Sequence, residues 1–82
     1  MTYAIEWHPQ AFRLFRKLPK QAIHRILAKL DVVAKEPFLY LEHYEGLKVY
    51  KLRIGAYRFL VDVKERVFFI QVFDKRGRVY KR

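Results

Sequence analysis

The chain has 82 residues, and 18 Lys and Arg against 8 Asp and Glu give it a formal charge of +10. That length allows one domain, residues 1–82, with one core, and a content of 52% hydrophobic and 17% aromatic residues argues against disorder. The lack of cysteine excludes disulfides and cysteine-based metal sites, and no apolar run exceeds five residues, too short to span a membrane.

Tyr3-Ala4-Ile5-Glu6-Trp7 opens the chain as a short β-rich segment, and Pro9 follows where the first turn of a helix accepts proline. The opening residues have neither a basic nor an apolar leader region, so they do not read as a signal peptide, and the chain is expected to be soluble and cytoplasmic. Ala11, Phe12, Leu14, Phe15 and Leu18 recur at helical spacing. Pro19 interrupts them, because it lacks an amide and disfavours helical geometry at Leu18. Ile23, Ile26, Leu27, Leu30 and Val33 then form a second apolar face. Two helices, about 9–18 and 20–35, are expected to pack as a hairpin with these faces inward.

Residues 36–46 lack a clean period and contain Pro37 and Gly46, so they read as a loop with one short helical turn. From Leu47 the period becomes two, giving strands at 47–54, 57–63 and 66–73. The joints fall at Gly55-Ala56 and Lys64-Glu65, and Gly55 suits the first position of a mirror-image hairpin turn. The fold class is α+β, in the order β-α-α-β-β-β, a small antiparallel sheet with the helical hairpin on one face.

Charge is uneven along this plan. Residues 1–46 hold seven basic and five acidic side chains, whereas residues 47–82 hold eleven and three. A two-residue turn at Gly55-Ala56 sets Arg53 opposite Arg58 and Lys51 opposite Leu60. Tyr50, Leu52, Ile54, Tyr57, Phe59 and Val61 then share a core face, and Lys51, Arg53 and Arg58 the other. Like charges directly opposed cost roughly 0.2–1 kcal/mol a pair. An anion that the face must hold explains such a cluster, and phosphate suits the guanidinium fork. The plainer reading is a solvated sheet face, which commonly carries Lys and Arg.

Other chemistry is poorly supplied. His8, His24 and His43 lie in separate elements without zinc spacing, so no metal or other cofactor is expected. His43, near Glu42 and Glu45, is a weaker candidate general base, and His24 reads as a surface residue. The chain contains no serine and no glycine-rich phosphate loop, which excludes a Ser triad and a Walker motif. Tyr80, among Arg78, Lys81 and Arg82, belongs to no apolar stripe, and Tyr44 is a lesser exposed aromatic.

Three stretches together resemble one family. Tyr3–Trp7 leading to Ala11 and Phe15-Arg16-Lys17-Leu18-Pro19 is similar to the opening of the RelE/ParE toxin superfamily. Gly46-Leu47-Lys48-Val49-Tyr50-Lys51-Leu52-Arg53-Ile54-Gly55-Ala56-Tyr57-Arg58 resembles its central signature. Val72-Phe73-Asp74-Lys75-Arg76-Gly77-Arg78-Val79-Tyr80 resembles its last strand and basic tail. The resemblance implies the toxin of a toxin–antitoxin pair. RelE-type members cut mRNA in the ribosomal A site without metal, and ParE-type members share the fold and inhibit DNA gyrase. A nucleic-acid-binding relative that does not cut is the third possibility. The resemblance further implies an acidic, partly disordered antitoxin, contact with ribosome and mRNA, and operator-DNA binding by the toxin–antitoxin complex.

Carried over by motif, Lys51, Arg53, Arg58, Arg76 and Tyr80 are the implied catalytic residues, and Lys48, Lys75, Arg78, Lys81 and Arg82 the implied RNA contacts. The short hairpin turn leaves the match of Arg53 open between two neighbouring basic positions. A His used by some relatives in the last motif is replaced by Lys75 or Arg76, and the chain ends two residues after Tyr80, short of the C-terminal helix of some members. In this scheme Arg58 and Arg76 stabilise charge on the phosphate. Lys51, its ammonium form disfavoured by nearby guanidinium groups, accepts the 2′-hydroxyl proton. Tyr80 stacks on a base or assists the leaving oxygen.

Overall fold

The computed structural model describes residues 2–44 and 49–74. Strand β1 (Ala4–Trp7) leads into helix α1 (Pro9–Phe15) and helix α2 (Lys20–Lys35). A 3-10 turn (Pro37–Leu39), strand β2 (Glu42–His43), and strands β3 (Tyr50–Ile54), β4 (Tyr57–Lys64) and β5 (Val67–Asp74) complete the order. The α+β plan read from the sequence holds.

Helix α1 begins with Pro9 in its first turn and His8 at the N-cap, where the imidazole Nδ1 accepts the Gln10 amide at 3.1 Å. It ends at Phe15 and not at Leu18. The amides of Lys17 and Leu18 bond back three residues, to Leu14 and Phe15, which tightens the chain before Pro19. Helix α2 then runs over the predicted span, with Pro19 outside its first turn. Ile26, Leu30 and Val33 are buried, but Leu27, like Phe12 and Leu14 of α1, stays about half exposed. The buried stripe of each helix is therefore narrower than its apolar residues implied.

The sheet order is β1-β5-β4-β3-β2. Strands β2 to β5 pair antiparallel, whereas β1 pairs parallel with β5, from Ala4 opposite Val67 to Trp7 opposite Ile70. The sheet is thus mixed, not wholly antiparallel: the two helices carry the chain back, so that β5 meets β1 in the same direction. The loop expected at 36–46 does contain one helical turn, but it also supplies β2, which extends the sheet beyond β3. The helices cover one face, packing Phe15, Ile26, Leu30 and Val33 against Leu52, Phe59, Phe68 and Ile70. Each such large apolar side chain contributes roughly 1.5–3 kcal/mol on burial. Trp7 stacks on Phe15 at 4.6 Å and anchors β1 to α1.

The two hairpin turns differ in kind. Gly55 has φ +60 at the first turn position, and Ile54 pairs with Tyr57, as expected. The second turn is Glu65-Arg66, one residue later than predicted, and Lys64 pairs with Val67. Both residues take positive φ, 52° and 67°, the geometry of a type I′ turn that usually selects Asn-Gly. Left-handed backbone costs an ordinary residue about 1–2 kcal/mol. Replacing Glu65-Arg66 by Asn-Gly is expected to stabilise the domain by about 1–2 kcal/mol. A thermal melt should show Tm rising by roughly 4–8 °C for each kcal/mol gained, and an unchanged Tm counts against strain at this turn.

Candidate nucleic-acid interface

The face of the sheet turned away from the helices follows from strand alternation and one irregularity. On β3 and β4 the inward positions are Leu52, Ile54, Phe59 and Val61, all buried. Lys51, Arg53 and Arg58 consequently point outward together. Arg53 stands opposite Arg58 in the observed register, as the turn predicted. Arg53 is exposed, while Lys51 and Arg58 are partly covered.

On β5 the register shifts: Leu60 opposes Val72 and Val61 opposes Ile70, leaving Gln71 as the extra residue of a bulge. Regular alternation from Phe68 and Ile70 would have turned Val72 inward. The bulge instead buries Phe73 at 4% exposure, leaves Val72 exposed, and sets Asp74 opposite Arg58. The outer row therefore reads Arg53, Arg58, Asp74 across three strands. A carboxylate beside the guanidinium pair offsets part of its repulsion, and nothing in the period-two pattern disclosed it.

Lys51 is placed by the β2–β3 pairing. Glu42 lies opposite it, and Glu42 Oε1 is 3.6 Å from Lys51 Nζ, an ion-pair contact longer than a hydrogen bond. The Nζ also stands 5.5 Å from the ring centroid of Tyr44. The expected crowding of this lysine by guanidinium charge is thus accompanied by a carboxylate and an aromatic ring. Glu42, Lys51, Arg53 and Tyr40 line a groove of about 320 Å³ beside the outer face. Lys29 of α2 reaches over the ring of Tyr40, 4.8 Å from its centroid.

Of the predicted site residues, the fold brings Lys51, Arg53 and Arg58 to one face. Arg76, Tyr80, Lys48, Lys75, Arg78, Lys81 and Arg82 lie outside the described residues. His43 is exposed and packs edge-on to Tyr50 at 5.4 Å, and His24 is exposed on α2. Among the described residues no group of His, Asp and Glu is arranged to hold a metal ion. None of the helices described is long and apolar enough to cross a membrane. Positive charge is not confined to the second half of the chain in space. Helices α1 and α2 and the turn between them carry seven cations and the single carboxylate Asp31.

No family model matches the sequence, and no curated protein matches it. Solved structures do. The chain is similar to one in the archaeal RelE–RelB complex of Pyrococcus horikoshii, with 30% identity, a TM-score of 0.78, and coverage of 95% of this chain and 99% of that one. It also matches the isolated RelE toxin of E. coli, at 24% identity and a TM-score of 0.76, over 95% and 90% of the two chains. A double-arginine variant of E. coli RelE bound to a peptide of the antitoxin RelB matches at 22% identity and a TM-score of 0.70, over 89% and 82%. Since RelE matches alone, the chain matched in the archaeal complex is its toxin and not its RelB.

Proposed function

Because this chain belongs to the RelE toxin family, we propose that it is the toxin of a toxin–antitoxin pair and that it cleaves mRNA on the ribosome by a metal-independent route. The observation that carries the chemistry is the outer sheet face, where Arg53 and Arg58 are directly opposed and Lys51, two pairs along the ladder, is the next outward residue on β3. A phosphate set between two guanidinium groups receives bidentate donors without proton exchange, since both stay charged. As the 2′-oxygen attacks, the phosphate gains charge, and donors already aimed at it stabilise the transition state more than the ground state.

Lys51 is assigned acceptance of the 2′-hydroxyl proton as the 2′-oxygen bonds to phosphorus and the bond to the 5′-oxygen breaks, and its Nζ lies beside the Glu42 carboxylate and the Tyr44 ring. On the family resemblance, Arg76 adds to charge stabilisation and Tyr80 stacks on a base or assists the leaving oxygen. Lys48, Lys75, Arg78, Lys81 and Arg82 hold the RNA backbone, where each phosphate contact adds to salt dependence. The partner is an acidic, partly disordered antitoxin. The relatives solved with RelB support this reading, as does a formal charge of +10. The toxin–antitoxin complex in turn binds operator DNA, and the toxin acts in the cytoplasm, where ribosomes are.

The test is addition of the purified toxin to a cell-free translation reaction, followed by primer extension on the message. Codon-phased cuts that require ribosomes, and that vanish when the cognate antitoxin is added, are expected. Intact message together with blocked supercoiling in a gyrase assay overturns the ribonuclease reading in favour of a gyrase inhibitor. Salt-sensitive RNA binding with neither effect leaves only a nucleic-acid-binding relative.

A further inference from the structure

We propose that the groove between Tyr40 and β3 seats one nucleobase beside the phosphate held by Arg53 and Arg58, and that Glu42 selects a base with two adjacent N–H donors, guanine above the others. This rests on the reading of the outer face as an RNA site and adds to it a subsite in which Tyr40 and Glu42 stand next to the cleavage residues Lys51 and Arg53. Among the described residues the groove is lined by Tyr40, Glu42, Lys51 and Arg53, and its volume of about 320 Å³ is of the size that holds a small ligand.

Each lining group has a matching part of a nucleotide. Tyr40 is 38% exposed and lines the groove, and the Lys29 ammonium lies 4.8 Å from its ring centroid. An aromatic ring so placed is a stacking platform that every base fits. Lys51 and Arg53 supply positive charge for the flanking phosphates. Glu42 makes the seat selective. Its side chain is 80% exposed, and its Oε1 is engaged with Lys51 only at 3.6 Å, beyond hydrogen-bond length. A carboxylate accepts through two oxygens and donates nothing. Guanine offers it N1–H and the 2-amino group side by side. Cytosine and adenine offer an amino group next to an acceptor, and uracil offers one N–H between two carbonyls, which a carboxylate repels. Polar groups that lose their partners in the wrong complex give the largest discrimination.

The experiment titrates the full-length toxin with GMP, AMP, CMP and UMP separately, following amide shifts by NMR. GMP is expected to move Tyr40 and Glu42 and to bind about tenfold tighter than UMP, the range for one good two-point contact. Glu42→Gln, at an exposed position, should bring GMP and UMP to within about threefold of each other. Tyr40→Ala should weaken all four about tenfold, as loss of one stacking platform does. Equal affinities for the four nucleotides, or shifts confined to residues away from the groove, overturn the seat. The two readings fail separately. A toxin that binds GMP in the groove but leaves ribosomal message intact keeps the seat and loses the cleavage. A toxin that cuts message and shows no GMP shift keeps the cleavage and loses the seat.

Discussion

Phe59→Ala is expected to remove about 3–5 kcal/mol of folding free energy, the range for emptying a large aromatic site in a core. Phe59 is fully buried on β4, opposed by Leu52 on one side and Phe73 on the other. Its ring centroid is 5.2 Å from that of Phe73 and 6.4 Å from that of Trp7, so it joins the hairpin strands to β5 and, through Trp7, to β1 and α1. A domain of 82 residues has roughly 4–12 kcal/mol in total at 0.05–0.15 kcal/mol per residue. The variant would therefore be near the threshold of folding. Phe59→Leu, which keeps much of the volume, should cost about 1–2 kcal/mol. Urea denaturation monitored by tryptophan fluorescence measures both, since Trp7 is the one tryptophan and lies beside this cluster. A loss below about 1 kcal/mol for the alanine variant contradicts the packing described, because burying a single methylene is already worth about 0.8 kcal/mol. Arg58 is the next residue on the same strand and faces the other way. Any loosening at Phe59 therefore reaches the candidate site directly.

Where the chain's own chemistry dictates geometry over short distances, the residues could be read. Gly55 with its positive φ fixes the first hairpin turn, and the turn fixes Arg53 opposite Arg58. Pro9 and Pro19 set the starts of the two helices. Hidden features came from pairing between distant segments or from residues doing what their type rarely does. Glu65 and Arg66 occupy left-handed backbone that glycine or asparagine usually takes, so the residue pattern points to a turn one residue too early. The Gln71 bulge reverses the alternation on β5, which concealed that Phe73 is core and that Asp74 joins the arginine row. Strand β2 is two residues long, too short to show a period, yet it carries Glu42 to Lys51 and completes the groove with Tyr40. The parallel β1–β5 pair left no trace because a four-residue strand reads the same in either direction. Function was legible mainly through the basic face and the family resemblance. The proposed base seat was not, because it needs Glu42, a carboxylate brought to β3 from the sheet edge.

Arg58→Ala is expected to lower ribosome-dependent cleavage about 10²–10³-fold, the loss typical of one preorganised donor at a developing anion. Arg58 is the middle member of the Arg53, Arg58, Asp74 row, so a phosphate bound on this face meets it whichever neighbour it also touches. Three measurements separate this from a structural effect. Stability should change by no more than about 1 kcal/mol, because removing one guanidinium relieves the repulsion from Arg53 while it deprives Asp74 of a cross-strand cation. Single-stranded RNA binding should keep its salt dependence but with a slope shallower by about 0.7, the loss of one phosphate contact. Arg58→Lys should restore that slope and recover only part of the rate, since an ammonium keeps the charge and loses the two-pronged geometry. Asp74→Asn gives the converse. With the carboxylate opposite Arg58 neutralised, RNA should bind more tightly at low salt. If Arg58→Ala cuts message at the wild-type rate, the row is a solvated sheet face, and the chemistry lies elsewhere on the toxin.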